Sequence, residues 1–143
     1  MGEIVAGLGV AGWLITLSAF DFRQRRLPNW LTLPGAAVIL VGALLGGHGP
    51  GAALGAGALF GVYATVHLAA PSAMGAGDVK LALGLGGLTG AFGAEVWVLA
   101  ALGASTLTVL AGLWRFARRR DLVIAHGPPM CAAAALAVGT ALA

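Results

Sequence analysis

Six apolar stretches, at about residues 4–20, 31–47, 52–70, 81–94, 96–114 and 129–143, alternate with short polar breaks along the chain. A membrane-spanning helix needs about 20 apolar residues, and about 17 suffice. The first, third and fifth stretches meet that length and the second is acceptable. The fourth and sixth are short, so they are expected to tilt little, thin the bilayer locally or extend into their flanking loops. The pattern predicts an all-α integral membrane protein of about six transmembrane helices. It forms a single membrane-embedded domain over residues 1–143, with no soluble domain, linker or low-complexity tail. The first stretch is expected to be kept as a helix. It opens with Glu3 instead of a basic segment, and Asp21-Phe22-Arg23 follows where a cleavable signal would carry small residues.

Composition strengthens this reading. The chain is 59% hydrophobic and 9% charged, against about 25% charged in soluble domains. With 143 residues, one small core cannot hide that much apolar surface, whereas lipid solvates it directly. The single cysteine, Cys131, excludes an internal disulfide and a multi-cysteine zinc site, and its apolar surroundings predict plain packing. His48, His67 and His126 have no metal-ligand spacing, so no metal or other cofactor is expected.

The charge map sets the orientation. The eight cations fall at Arg23, Arg25 and Arg26; at Lys80; and at Arg115, Arg118, Arg119 and Arg120. These are the first, third and fifth connections of a six-span chain, which share one side. The positive-inside rule makes that side cytoplasmic and puts both termini outside, as for a multi-pass protein of the cytoplasmic (inner) membrane. The net charge of +3 therefore marks membrane boundaries and not a nucleic-acid partner. The Arg115–Arg120 cluster reads as an orientation signal in contact with anionic membrane lipid. Glycine pairs at four-residue spacing, Gly51/Gly55, Gly57/Gly61 and Gly86/Gly90, predict close helix packing.

Two polar islands remain, Asp21 to Asn29 and Gly75 to Lys80. Each holds one of only five acidic residues, and the orientation puts Asp21 and Asp78 on the same face. An ionisable group at a bilayer edge is a candidate functional group. Two carboxyls brought together can share a proton and activate water. Pro28 limits the first helix, Asn29 is placed to cap the second, and Trp30 suits the interface. Gly75 and Gly77 leave room for a backbone turn or an approaching substrate strand. The plainer alternative is a helix-end cap or a partner for a neighbouring charge, Arg23 for Asp21 and Lys80 for Asp78. Taken alone, the residues favour that alternative, and they leave Lys80 either orienting its aspartate or simply solvated.

The segment Asp21-Phe22-Arg23-Gln24-Arg25-Arg26-Leu27-Pro28-Asn29-Trp30-Leu31-Thr32 resembles the first aspartate motif of the type IV prepilin peptidases. Gly75-Ala76-Gly77-Asp78-Val79-Lys80 is similar to their second, the Gly-x-Gly-Asp-x-Lys signature of the wider Gly-x-Gly-Asp membrane proteases. Ile124-Ala125-His126-Gly127-Pro128-Pro129-Met130 resembles the proline-bearing segment before the family's last helix. The resemblance implies an intramembrane aspartic endopeptidase with Asp21 and Asp78 as the catalytic pair. Gly75, Gly77, Lys80, Pro28 and Asn29 would shape the site. Its partner would be a prepilin-like substrate, whose leader is removed at the cytoplasmic membrane face. The start at the first helix and the lone cysteine look like the short, peptidase-only form of Flp (tight-adherence) pilus systems; the archaeal prepilin and preflagellin peptidases share the chemistry.

In such a dyad one carboxylate takes a proton from water while the other, protonated, hydrogen-bonds the scissile carbonyl. Helix ends suggest Asp78, before a helix, as the base and Asp21, after one, as the proton holder. The alternatives from other classes are a small proton-coupled transporter and a noncatalytic membrane subunit of pilus assembly.

Overall fold

The computed structural model describes residues 1–119 and 124–143, so Arg120 of the basic cluster lies outside the described residues. The described residues form helices α1 (Gly2–Gln24), α2 (Asn29–Leu45), α3 (Gly49–Ala69), α4 (Ala76–Ala91), α5 (Ala94–Ala117) and α6 (Gly127–Leu142), with no strand among them. Three of these, α1, α3 and α5, are long and apolar enough to cross a membrane; α2 and α6 are shorter apolar helices. Large apolar side chains such as Ile4, Leu8, Ile15, Val38, Leu54, Leu102 and Leu110 point outward. A surface of this kind fits a lipid solvent and not water. The chain is a membrane protein.

Helix α4 is the hub, touching α2, α3, α5 and α6, while α1 packs on α6 and α2. That position explains how so short a helix can sit in the bundle. Most of it, Val79, Leu81, Ala82 and Gly84 to Gly90, is buried by protein, so it needs no lipid-length apolar face. The glycines make this possible. A methyl group on Gly51 would lie 2.7 Å from the Gly90 carbonyl oxygen, and one on Gly55 would lie 2.8 Å from the Gly90 Cα. The α3 and α4 backbones therefore touch along Gly51/Gly55 and Gly86/Gly90, as small residues allow in membranes. Gly57 and Gly61 meet nothing within 4 Å and do not serve this packing, contrary to the expectation from spacing. Indole hydrogen bonds fasten two further pairs: Trp97 Nε1 donates to the Gly55 carbonyl (3.0 Å) and Trp13 Nε1 to the Leu31 carbonyl (2.8 Å).

Two boundaries differ from the sequence reading. Helix α4 begins at Ala76, five residues before its apolar stretch, so Asp78 lies within its first turn and does not precede it. Helix α1 runs to Gln24, which places Asp21 inside its last turn. Each extension carries a polar residue with a tertiary partner, Asp21 with Gly127 and Lys80 with Asn29, which apolar periodicity does not register.

Candidate active site

The two polar islands meet at one end of the bundle. Pro28, extended at φ −70° and ψ 136°, starts α2. Asn29 is the first residue of that helix and does not cap it. Its side-chain oxygen instead accepts a hydrogen bond from Lys80 Nζ at 2.8 Å, tying the start of α2 to the first turns of α4. The partner given to Lys80 is thus Asn29, not Asp78. Beside this link a Cβ on Gly77 would lie 3.0 Å from Leu27 Cβ. Gly77 therefore lets α4 press on the connection between α1 and α2. Gly75, exposed and extended at φ −73° and ψ 149°, is the α4 N-cap and has no need of glycine's special conformations.

Asp21 is 6% exposed, so its carboxylate must find hydrogen bonds within the protein. One comes from 106 residues away: the Gly127 N–H donates to Asp21 Oδ2 at 3.0 Å. Gly127 is the first residue of α6, and Pro128 behind it is typical of a helix start. Asp78, half-buried, is backed by the Gly75 N–H in the same turn, the return half of a capping box. The two carboxyls are close enough to interact electrostatically. Each faces a helix N-terminus, where partial positive charge gathers. Asp21 thus meets the C-terminal end of α1 and the N-terminal end of α6 together, so helix ends alone do not assign the base and the proton holder.

Of three side chains near this pair, the sequence pattern singles out neither Tyr63 nor Thr108 and gives His126 only a plain reading. Tyr63 of α3 is buried, and the charge of Asp78 reaches its hydroxyl. That hydroxyl lies 3.2 Å from His126 Nε2, and His126 Nδ1 lies 2.6 Å from Thr108 Oγ1 of α5. Burial pushes the His126 imidazole below its ordinary pKa, favouring the neutral ring. The proline-bearing segment could have signalled this residue, since it marks the start of α6 one position after His126. His67, in α3, contacts the Met74 carbonyl at 2.7 Å through Nδ1, next to Gly75. Cys131 is buried beside Ser18, as expected of packing. Among the described residues no group of His, Cys, Asp and Glu could hold a metal ion.

A separate apolar groove of about 640 Å³ lies between α1, α2 and α4, lined by residues that include Trp13, Trp30, Pro34, Gly35 and Leu88. It holds neither Asp21 nor Asp78.

The type IV leader peptidase family model matches residues 8–115, a span that contains both aspartates. The chain belongs to that family. It is 34% identical over 116 residues to a prepilin leader peptidase/N-methyltransferase of Xanthomonas campestris pv. campestris, covering 76% of this chain and 40% of that protein. The chain thus spans less than half the length of that relative. No solved structure matches it. His126 and Gly127 fall beyond the part matched by the leader peptidase family, although they contact groups within it.

Proposed function

We propose that this leader peptidase family member is an aspartic endopeptidase that removes the leader of prepilin-like proteins, with Asp21 and Asp78 as its catalytic pair. The observation that carries the reading is the convergence of two carboxyls from helices far apart in sequence, each facing a helix N-terminus and near enough to sense the other. Like charges at short range resist joint ionisation, so the pair holds one proton between them and titrates as a unit. The ionised member accepts a proton from water as the hydroxyl oxygen attacks the scissile carbonyl. The protonated member donates a hydrogen bond to the carbonyl oxygen as it gains negative charge. The proton taken from water then passes to the leaving amine, and the pair returns to its starting state.

The charge map supports six spans, both termini outside, and a site at the cytoplasmic face of the inner membrane. Arg23, Arg25, Arg26, Lys80, Arg115, Arg118 and Arg119 lie at the bundle end that holds the aspartates. Arg118 stacks on Trp114, 5.5 Å from the ring centroid. This pairing suits an interfacial anchor.

Coexpression with a prepilin-like membrane protein tests the reading. The wild-type chain should shorten that protein by its leader, with a new amino terminus found by mass spectrometry. An intact substrate beside well-inserted enzyme would refute leader peptidase activity and return the aspartates to proton transport or pilus assembly.

A further inference from the structure

We infer that His126 is a positioning residue for this site: bonded to Thr108 of α5 and Tyr63 of α3, its imidazole fixes the start of α6 where the Gly127 N–H holds Asp21. The inference rests on the reading of Asp21 and Asp78 as the reacting pair.

Proton placement allows these bonds two directions. The Thr108 hydroxyl has one proton, and Oγ1 lies 2.8 Å from the Ala104 carbonyl as a donor. With that proton so placed, Oγ1 accepts from Nδ1–H of His126, and the neutral ring presents a bare Nε2 to the Tyr63 hydroxyl. The reverse tautomer, with Nε2–H toward Tyr63 and the Thr108 hydroxyl donating to Nδ1, keeps both contacts, so the ring is held from two sides in either.

The backbone turns that grip into a positioning device. His126 is the α6 N-cap, and its carbonyl accepts from the Met130 N–H at 3.2 Å. Imidazole, Gly127 N–H and first helical turn consequently move together. Two other helices hold the imidazole, and a third accepts from the residue that follows it. Asp21 of α1 accepts from the next residue, Tyr63 of α3 and Thr108 of α5 hold the ring, and Asp78 of α4 acts on Tyr63. The link ties the position of Asp21 to one ring.

The test uses the purified protein in detergent, a synthetic leader-bearing peptide, three single variants and one double variant. Tyr63→Phe and Thr108→Val each delete one bond with little change of shape. His126→Asn keeps a side-chain nitrogen near the Nδ1 position and loses the contact with Tyr63. Each should lower kcat by about tenfold at unchanged KM, the effect of one hydrogen bond carried into the barrier. The Tyr63→Phe/Thr108→Val double variant should be little worse than either single one, because both act through the same ring. His126→Asn should match Tyr63→Phe. The Gly127 amide resonance, read by NMR on labelled protein, should shift in all three, which follows the Asp21 contact without relying on activity.

Wild-type kcat in the variants, or additive losses that track only melting temperature, would overturn the positioning role. An unmoved Gly127 resonance would overturn it even if the wild-type enzyme cleaves nothing. A wild-type enzyme that cleaves no leader peptide would refute the proposed function separately, whatever the resonance does.

Discussion

Substitution of Gly127 by alanine probes the contact on which the site depends. A Cβ at that position would lie 2.6 Å from Asp21 Oδ2 and 3.1 Å from Cγ. The first distance is about 0.8 Å short of the 3.4 Å at which ordinary van der Waals contact begins. The cheapest response is a swing of the short Asp21 side chain, since its own Cβ would be 3.4 Å away and need not move. A displacement of about 1 Å can cost about a hundredfold in rate, or about 2.7 kcal/mol of barrier. Helix stability works the other way, because alanine is a better helix former than glycine by about 1 kcal/mol. Gly127→Ala should therefore insert and fold normally, yet lose about a hundredfold in kcat with little change in KM. Two further glycines calibrate the result. Gly77→Ala meets Leu27 Cβ at 3.0 Å and should lose less, whereas Gly75→Ala meets Asp78 Oδ2 at 3.5 Å, an ordinary contact, and should lose least. Steady-state cleavage of a leader peptide by the three purified variants gives the order. Full activity in Gly127→Ala, or the greatest loss in Gly75→Ala, would refute the placement of Asp21 against the start of α6.

Acidification should destabilise the fold through His126. Its pKa is lowered in the folded protein, so the unfolded chain binds the extra proton first, and stability falls as pH drops below about 6.5. Melting temperature followed against pH should decline there, less steeply in His126→Gln; equal slopes would remove His126 as the cause. Gly86→Leu forces a side chain into the α3 backbone, where even a Cβ would lie 3.0 Å from the Ala56 Cα. Overpacking of this kind costs about 1–3 kcal/mol, read as a lower melting temperature in detergent; an unchanged value would count against the tight α3–α4 crossing. In intact spheroplasts, cysteines placed at Arg25, Ser72 or Arg119 should resist an impermeant thiol reagent while one at His48 reacts. Labelling of both sets would exclude the six-span orientation.

Sequence pattern made some parts of this molecule legible and hid others. Helices α1, α3 and α5 stand out because lipid-facing surfaces demand long apolar runs, and those runs are local. The start of α4 did not stand out, because Asp78 and Lys80 are stabilised by Gly75 and Asn29 instead of by apolar neighbours. Asn29 read as a cap since its type favours caps, but a tertiary donor claimed its oxygen. The aspartates were visible as rare charges at the edges of apolar stretches. Their setting was not, since the Asp21–Gly127 bond joins residues with no shared periodicity. His126 was passed over for a related reason: its partners, Tyr63 and Thr108, lie on two other helices.

The central claim is that Asp21 and Asp78 act as one catalytic pair. Its most direct test is leader cleavage by Asp21→Asn and Asp78→Asn, each purified as a folded, inserted protein and compared with Glu3→Gln and Glu95→Gln. Asparagine keeps the size of the side chain and removes the carboxyl's ability to exchange a proton, and neither member can take the other's role. Both aspartate variants should show no cleavage above background while both glutamate variants cleave as wild type does. Cleavage near the wild-type rate by either Asp21→Asn or Asp78→Asn would contradict the account.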